Sequence, residues 1–360
     1  MDRLKTLIKS IRDRFSSLVS DDIGIDLGTA NTLVYVNGRG IVISEPSMVA
    51  LNQKTRQVVA VGADAKKMLG RTPSHIVAVQ PLIDGVISDF EVTEEMLSYL
   101  IRKAQNGKSR LLGPRVVVGV PSGITSVEVR AVQDAARNAG ARQVFIVEEP
   151  MAAAIGIRLP VRDPSGSMVI DIGGGTTDIG IVSLGGLVNA KNVRIAGDKL
   201  NEDIINYIRS EFKILIGAKS AEELKIAVAA ILEEETPIEA TVRGRDLVTG
   251  LPREITITDA DIREAIASSV DQLIDSVKEV LETAPPEVVS DVMRRGIYLA
   301  GGGALIRGLA ELLTDHLGVQ VYVSDDPLTA VVRGTGMILE DIDAYEEALI
   351  TQSHELSPTE

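Results

Sequence analysis

Asp171-Ile172-Gly173-Gly174-Gly175-Thr176-Thr177 stands in the middle of the chain and repeats the plan of Asp26-Leu27-Gly28-Thr29 near its front: apolar run, aspartate, glycine turn, hydroxyl. Glycine lets backbone N–H groups turn inward and approach an anion, and successive inward N–H groups make an anion-binding nest. Threonine adds a hydroxyl donor. An aspartate beside such a nest repels phosphate, so its natural partner is a hydrated divalent cation held against the phosphates. The pair therefore reads as a two-sided clamp for a nucleotide phosphate tail with Mg2+. Taken singly, Asp-x-Gly-Thr is most often an ordinary turn. Three glycines before two threonines and Asp178 weaken a strand unless the backbone must approach something closely. Neither segment has the Gly-Lys-Ser/Thr ending of a Walker loop. The residues that follow, Leu33-Val34-Tyr35-Val36 and Ile179-Gly180-Ile181-Val182, read as further strand, which makes each turn a hairpin tip.

Outward from these turns, strand-like runs alternate with helical stretches. Val116 to Val120 reads as a buried strand, Thr125 to Gly140 as a helix stopped by its glycine, and Val144 to Val147 as a strand again. In the second half, Met168 to Ile172 and Ile179 to Val182 read as strands, and Leu200 to Ile216 and Ala221 to Leu232 as helices, the latter with Ser220 and Glu223 as a capping box. A hairpin is expected from Ile238 to Thr258, then a helix from Asp259 to Leu281, a break at Pro285-Pro286, a strand from Gly296 to Ala300 and a glycine turn into a helix from Ala304 to Leu317. Such alternation predicts an α/β architecture. One phosphate hairpin in each half predicts two related domains facing each other over a cleft.

Composition bounds the function. With 360 residues, 45% of them hydrophobic, the chain can bury two sizeable cores. It has no cysteine, which excludes disulfides and thiolate metal sites. Its three histidines, His75, His316 and His354, are scattered without zinc-ligand spacing. A net charge of −14 argues against nucleic acid as a main partner. The amino terminus departs from that acidity, carrying Arg3, Lys5, Lys9, Arg12 and Arg14 against Asp2 and Asp13. At about 100° per residue, Leu4, Leu7, Ile8, Ile11, Phe15, Leu18 and Val19 fall within an arc of about 120°. This amphipathic helix is too charged to span a bilayer and lacks a signal peptide's apolar run. It suits either packing on its own protein or lying in anionic lipid, and its basic flanks favour lipid.

The motif set carries a family likeness. Asp26 to Thr32, Glu148-Glu149-Pro150-Met151-Ala152-Ala153-Ala154, Asp171 to Thr177 and Gly301-Gly302-Gly303-Ala304-Leu305 resemble, in order, the motifs of the actin, sugar kinase and heat-shock ATPase superfamily. More narrowly, the stretch from about Ile23 to Glu340, with Gly244-Arg245-Asp246-Leu247, Pro285-Pro286-Glu287 and Asp326-Pro327-Leu328-Thr329, resembles the MreB family of bacterial actins that support rod shape. Ala218 and Asp178 depart from that family's usual acid and glutamate.

The resemblance implies an actin-like, ribonuclease H-like two-domain ATPase fold, each domain having a larger and a smaller subdomain around a central nucleotide cleft. It implies a membrane helix over 1–20, a first domain over 21–160 with 326–345 returning to it, a second over 161–325 with its small subdomain near 196–255, and a polar tail over 346–360. It assigns Thr29, Ala30 and Asn31 to the first phosphate turn and Gly174, Gly175 and Thr176 to the second, with Asp26 and Asp171 on hydrated Mg2+. Glu222, Glu223, Leu224 and Lys225 would flank the nucleoside, and Gly302, Gly303, Ala304 and Leu305 would close over the base. Glu149, helped by Thr176, would position the attacking water. From the residues alone, Glu148 and Glu149 before Pro150 serve equally well as acids at a helix N-terminus, and Gly301 to Gly303 as a plain strand-to-helix turn. Relatives place an apolar loop tip where Leu111 and Leu112 stand here among Lys108, Arg110 and Arg115; the two leucines are then a second membrane contact, or else tuck back onto the domain.

The expectation is therefore a slow ATPase, using ATP or GTP, that polymerises with itself on anionic lipid at the inner face of the cytoplasmic membrane, beside cell-wall elongation machinery. The alternative is a soluble small-molecule kinase of the same superfamily, against which stands the missing signature of a second-substrate pocket with its own base.

Overall fold

Both aspartate-glycine turns are hairpin tips in the computed structural model of the chain, which describes residues 21–106 and 113–350. Contacts divide the chain into two units: residues up to Leu159 together with those from Thr329 onward, and Pro160–Leu328.

In the first unit, β1 (Ile23–Leu27) and β2 (Asn31–Val36) pair antiparallel, Asp26 opposite Leu33, and β3 (Gly40–Pro46) continues beside β2. Strands β4 (Val49–Asn52), β5 (Val58–Val61) and β6 (Ile76–Val79) form a small sheet backed by α1 (Ala63–Met68), followed by the short pair β7 (Leu82–Ile83) and β8 (Val86–Ile87). Then come α2 (Phe90–Ala104), β9 (Arg115–Val120), α3 (Ser126–Asn138), β10 (Gln143–Glu148) and α4 (Glu149–Gly156). Strand β9 runs parallel to β1 and β10 parallel to β9, so the main sheet has the order β10-β9-β1-β2-β3. Its central strands read as unbroken apolar runs because both faces are covered: Ile23, Ile25, Val116, Val117 and Val118 are buried. On α2, Val92, Met96, Leu97, Leu100 and Ile101 make the stripe that joins this core, and Asp89 caps the helix by accepting from the Val92 N–H. Thr125 and Glu128 form a reciprocal capping box that starts α3 where its sequence predicts.

The second unit follows the same plan. Strands β11 (Ser167–Ile172), β12 (Thr177–Ser183) and β13 (Gly186–Val193) form an antiparallel meander. After α5 (Gly197–Glu211), β14 (Ile214–Leu215), α6 (Ala218–Val228), β15 (Glu239–Asp246), β16 (Pro252–Thr258), α7 (Asp259–Thr283) and α8 (Pro286–Arg295), the chain adds β17 (Ile297–Ala300), α9 (Leu309–Leu317) and β18 (Val321–Val323). Strand β17 lies parallel to β11 and β18 parallel to β17, giving the order β13-β12-β11-β17-β18. Strands β14, β15 and β16 make a separate small sheet. From Thr329 onward the chain belongs to the first unit again, where α10 (Ala330–Glu340) packs on α4 so tightly that a Cβ at Gly334 would overlap the Ala152 carbonyl.

Three helices differ from the sequence expectation in their bounds. The helix expected over Leu200 to Ile216 ends at Glu211, because Lys213 takes φ +55 and buried Ile214 then pairs opposite Asp246. Helix α6 begins at Ala218 rather than Ala221 and ends at Val228. The helix expected from Ala304 begins only at Leu309: Gly302–Leu305 is a 3-10 turn, and Gly308 takes φ +76 before the α-helix starts.

Candidate functional site

In each sheet the hairpin tip lies at the carboxyl edge of the parallel strands, the edge at which open α/β sheets bind ligands. At the first tip, the Gly28 carbonyl accepts from the Ser47 hydroxyl, which also shares a hydrogen bond with Thr32 Oγ1 at 2.8 Å; the Ser47 N–H donates to the Ala30 carbonyl at 3.0 Å. The turn is therefore clamped from beneath by β3 and the residue after it. Thr29 is buried, and its Oγ1 accepts from the Gly85 N–H at 2.9 Å, which leaves its proton to donate. Ala30 is half-buried and Asn31 exposed. Burial pushes the Asp26 carboxyl up to about 7.

Asp26 pairs in register with Gly119 of β9, and a Cβ at Gly119 would come 3.8 Å from Glu149 Cγ. The same sheet edge thus gathers Asp26 and Glu149. Glu149 is half-buried in the first turn of α4, while Glu148, the N-cap residue, makes no side-chain cap. Its Oε1 instead accepts from the Gly123 N–H at 3.3 Å. Burial raises the Glu148 carboxyl, with that N–H opposing the shift. Of the two acids that the sequence leaves equivalent, Glu148 is engaged with the β9–α3 loop and Glu149 lies beside Gly119 near the end of β9.

The second tip is closed by the Gly173 N–H donating to the Thr176 carbonyl at 2.9 Å. Its carbonyls are held by the start of α5: Gly173 accepts from the Gly197 N–H at 3.1 Å and Gly174 from the Asp198 N–H at 2.8 Å. Thr176 and Gly175 are buried, Gly174 half-buried, and Asp171 only 7% exposed. Lys225 Nζ donates to the Gly197 carbonyl at 2.9 Å and to Glu222 Oε2 at 2.8 Å, so the structure brings Glu222 and Lys225 to the second turn. Leu224 faces the core, and Glu223 faces outward toward Lys219 at 3.7 Å. The capping box expected of Ser220 and Glu223 does not form: the helix starts from Gly217, which puts Ser220 inside its first turn.

Next to Asp171 and Ile172, Gly301 takes φ +76 and ψ 174, a conformation that glycine alone adopts readily. Gly303 and Ala304 are buried against Ile172 and the core, whereas Gly302 and Leu305 are exposed. Sequence reasoning missed Ser47, Gly197 and Asn201. Asn201 left a signal, an amide among Leu200, Ile204 and Ile208 on the buried face of α5.

Among the described residues no group of three His, Cys, Asp or Glu is placed to hold a metal ion directly. Asp26 at the first turn and Asp171 at the second, the latter opposite Asp178, which takes Asn192 Nδ2 at 2.8 Å, fit hydrated Mg2+, which keeps several waters and takes one or two carboxylates along with phosphate oxygens. A cation there would also return the Asp26 carboxyl, raised by burial, to its ionised form. Leu4, Leu7, Ile8, Ile11, Phe15, Leu18, Leu111 and Leu112, expected from the sequence to meet lipid, lie outside the described residues. No helix among the described residues is long and apolar enough to cross a membrane.

This is the architecture of the actin-like proteins. MreB5 of Spiroplasma citri, solved bound to ADP and bound to AMPPNP, matches with TM-score 0.86 and 38% identity, covering 91% of this chain and 98% of that one. The family profile described as MreB/Mbl protein matches residues 20–347. Cell shape-determining protein Mbl of Bacillus subtilis (strain 168) is 48% identical over 322 residues, covering 89% of this chain and 96% of the relative. Cell shape-determining protein MreB of Escherichia coli (strain K12) is 48% identical over 343 residues, covering 94% and 99%. The chain belongs to the MreB/Mbl family.

Proposed function

We propose that the chain is an ATP-binding, ATP-hydrolysing actin-like protein that polymerises into membrane-associated filaments and organises cell-wall synthesis to maintain rod shape. The observation that carries this reading is the repetition of one hairpin, with its aspartate and glycine turn, at the carboxyl edge of both five-stranded sheets. The nucleotides bound to MreB5 and the cell-shape names of the relatives support it.

In this reading the N–H groups of Thr29, Ala30 and Asn31 and of Gly174, Gly175 and Thr176 bind phosphate oxygens. Lys225 adds positive charge beside the second turn, and Glu222 accepts from the nucleoside. Gly302 and Leu305 offer an exposed surface to the base. Mg2+, held through water by Asp26 and Asp171, supplies charge neutralisation on the phosphates when bound. Glu149 orients the attacking water with help from Thr176, so that a slow hydrolysis rests on positioning and charge neutralisation without covalent chemistry. The same turns take GTP if the base contacts tolerate it.

Bound nucleotide favours one conformation of the subunit over others, and head-to-tail contacts between copies then extend into open filaments. The basic amphipathic arm, Met1 to Val19, and the Leu111-Leu112 tip hold the filament on anionic lipid at the inner face of the cytoplasmic membrane, where wall-elongation machinery is its partner. Sedimentation of the purified chain with ATP, ADP or no nucleotide tests this. Pelleting that appears with ATP supports the filament; a soluble chain at every concentration and nucleotide favours the kinase alternative.

A further inference from the structure

We infer that Asn201 is a positioning residue for the nucleoside, its side-chain amide holding Glu222 oriented to accept from ribose hydroxyls; the inference rests on the nucleotide reading above. Asn201 is 6% exposed on the face of α5 otherwise given to Leu200, Ile204 and Ile208. Its Nδ2 donates to Glu222 Oε2 at 2.8 Å. A carboxylate only accepts, so this contact fixes which end of the amide faces it. The other end, Oδ1, is buried and has no hydrogen-bond partner. An alanine here would have left no such acceptor stranded, and a stranded buried acceptor costs stability. What the amide does in return is hold Glu222.

The glutamate is held from two sides. Oε2 takes Asn201 Nδ2 and Lys225 Nζ, both at 2.8 Å, while the Glu222 side chain stays 43% exposed and so within reach of a ligand. Lys225, only 10% exposed, also donates to the Gly197 carbonyl, and the Gly197 N–H donates to the Gly173 carbonyl of the phosphate turn. The position of the carboxylate is thereby set relative to the turn that holds the phosphates. A nucleotide carries its ribose hydroxyls within a limited range of distances from its phosphates. A carboxylate so anchored reads that separation, and two donors on one oxygen remove the rotamer freedom that would otherwise blur it.

The test compares ATP with 2′,3′-dideoxyATP, which lacks the ribose hydroxyls, by equilibrium titration of the full chain. Wild type should prefer ATP by about tenfold or more, the discrimination expected for hydrogen bonds to a charged group. Glu222→Gln and Asn201→Ala should each bring that ratio toward one. Asn201→Asp, nearly isosteric and without the donor, should do the same, and it decides the matter if the alanine variant folds poorly. A ratio in both Asn201 variants equal to that of wild type, whatever their melting temperatures, overturns the inference and assigns Asn201 to packing. Absence of any ATP binding by wild type overturns the nucleotide reading, and the inference with it.

Discussion

Gly301→Ala and Gly302→Ala are adjacent, chemically identical changes, and the structure predicts opposite outcomes. At Gly301, φ +76 and ψ 174 lie where a residue with a Cβ pays about 1–3 kcal/mol in backbone strain. The new methyl would also stand 2.6 Å from the Ile172 carbonyl carbon, and nearer still to its oxygen and to Asp171 Oδ1. Those atoms sit in and beside the central ladder of the sheet, so they cannot yield cheaply, and overpacking adds about 1–3 kcal/mol. The sum, about 2–6 kcal/mol, is a large part of the stability of an ordinary domain. At Gly302 the nearest atom to a new methyl is Leu328 Cδ2 at 3.5 Å, an ordinary contact. Stability should then stay within about 0.5 kcal/mol of wild type, while ATP affinity falls because the methyl enters the space proposed for the nucleoside. Urea denaturation followed by circular dichroism gives the first quantity and nucleotide titration the second. A wild-type midpoint for Gly301→Ala, or equal losses of stability in the two variants, would refute the reasoning.

Glu149→Ala should keep ATP binding and lose about 100-fold or more of the hydrolysis rate, since water orientation acts on the transition state; phosphate release at the wild-type rate would leave Glu149 a helix N-terminal acid. Burial holds the Glu148 carboxyl above its ordinary 4.5, so the folded chain binds this proton more tightly than the unfolded chain. The stability it contributes is full below the ordinary value and is lost as pH rises through the raised one. Glu148→Gln, which still offers the Gly123 N–H an acceptor, should therefore gain on wild type across that window in thermal melts, and a difference flat with pH would contradict the burial. Removing Met1 to Val19 should sharply reduce pelleting with anionic liposomes, and high salt should weaken what the intact chain shows, because each basic residue adds about 1 kcal/mol near such a surface; equal pelleting of both chains would assign the arm to another contact.

The parts of the fold that were legible are those written in local chemistry. The two turns, their flanking strands, the Thr125 cap of α3 and the hairpin of β15 and β16 all follow from residues within a few positions of one another. Two residues do not make a period, so Ile214–Leu215 read as the tail of a helix when it is a strand set by pairing with β15. Ser220 and Glu223 have the spacing of a cap, yet the chain found an earlier start at Gly217. Apolar Ala304, Leu305 and Ile306 suggested a helix that the Gly308 conformation delays. Asn201 meets Glu222, and Lys225 meets the Gly197 carbonyl, only because α5 and α6 pack together, and no local pattern links residues so far apart. The turns were thus readable as hairpin tips, and the contacts between distant side chains beside them were not.

Nucleotide binding by the two glycine turns is the step on which the proposed function stands. Calorimetric titration of ATP with Mg2+ into wild type and Gly174→Val tests it most directly, since a branched side chain at a half-buried turn position blocks approach of the backbone to phosphate. Wild type should bind saturably, and the variant, its circular dichroism spectrum unchanged, should not bind. Equal affinity in the two proteins, or no binding by wild type, would contradict it.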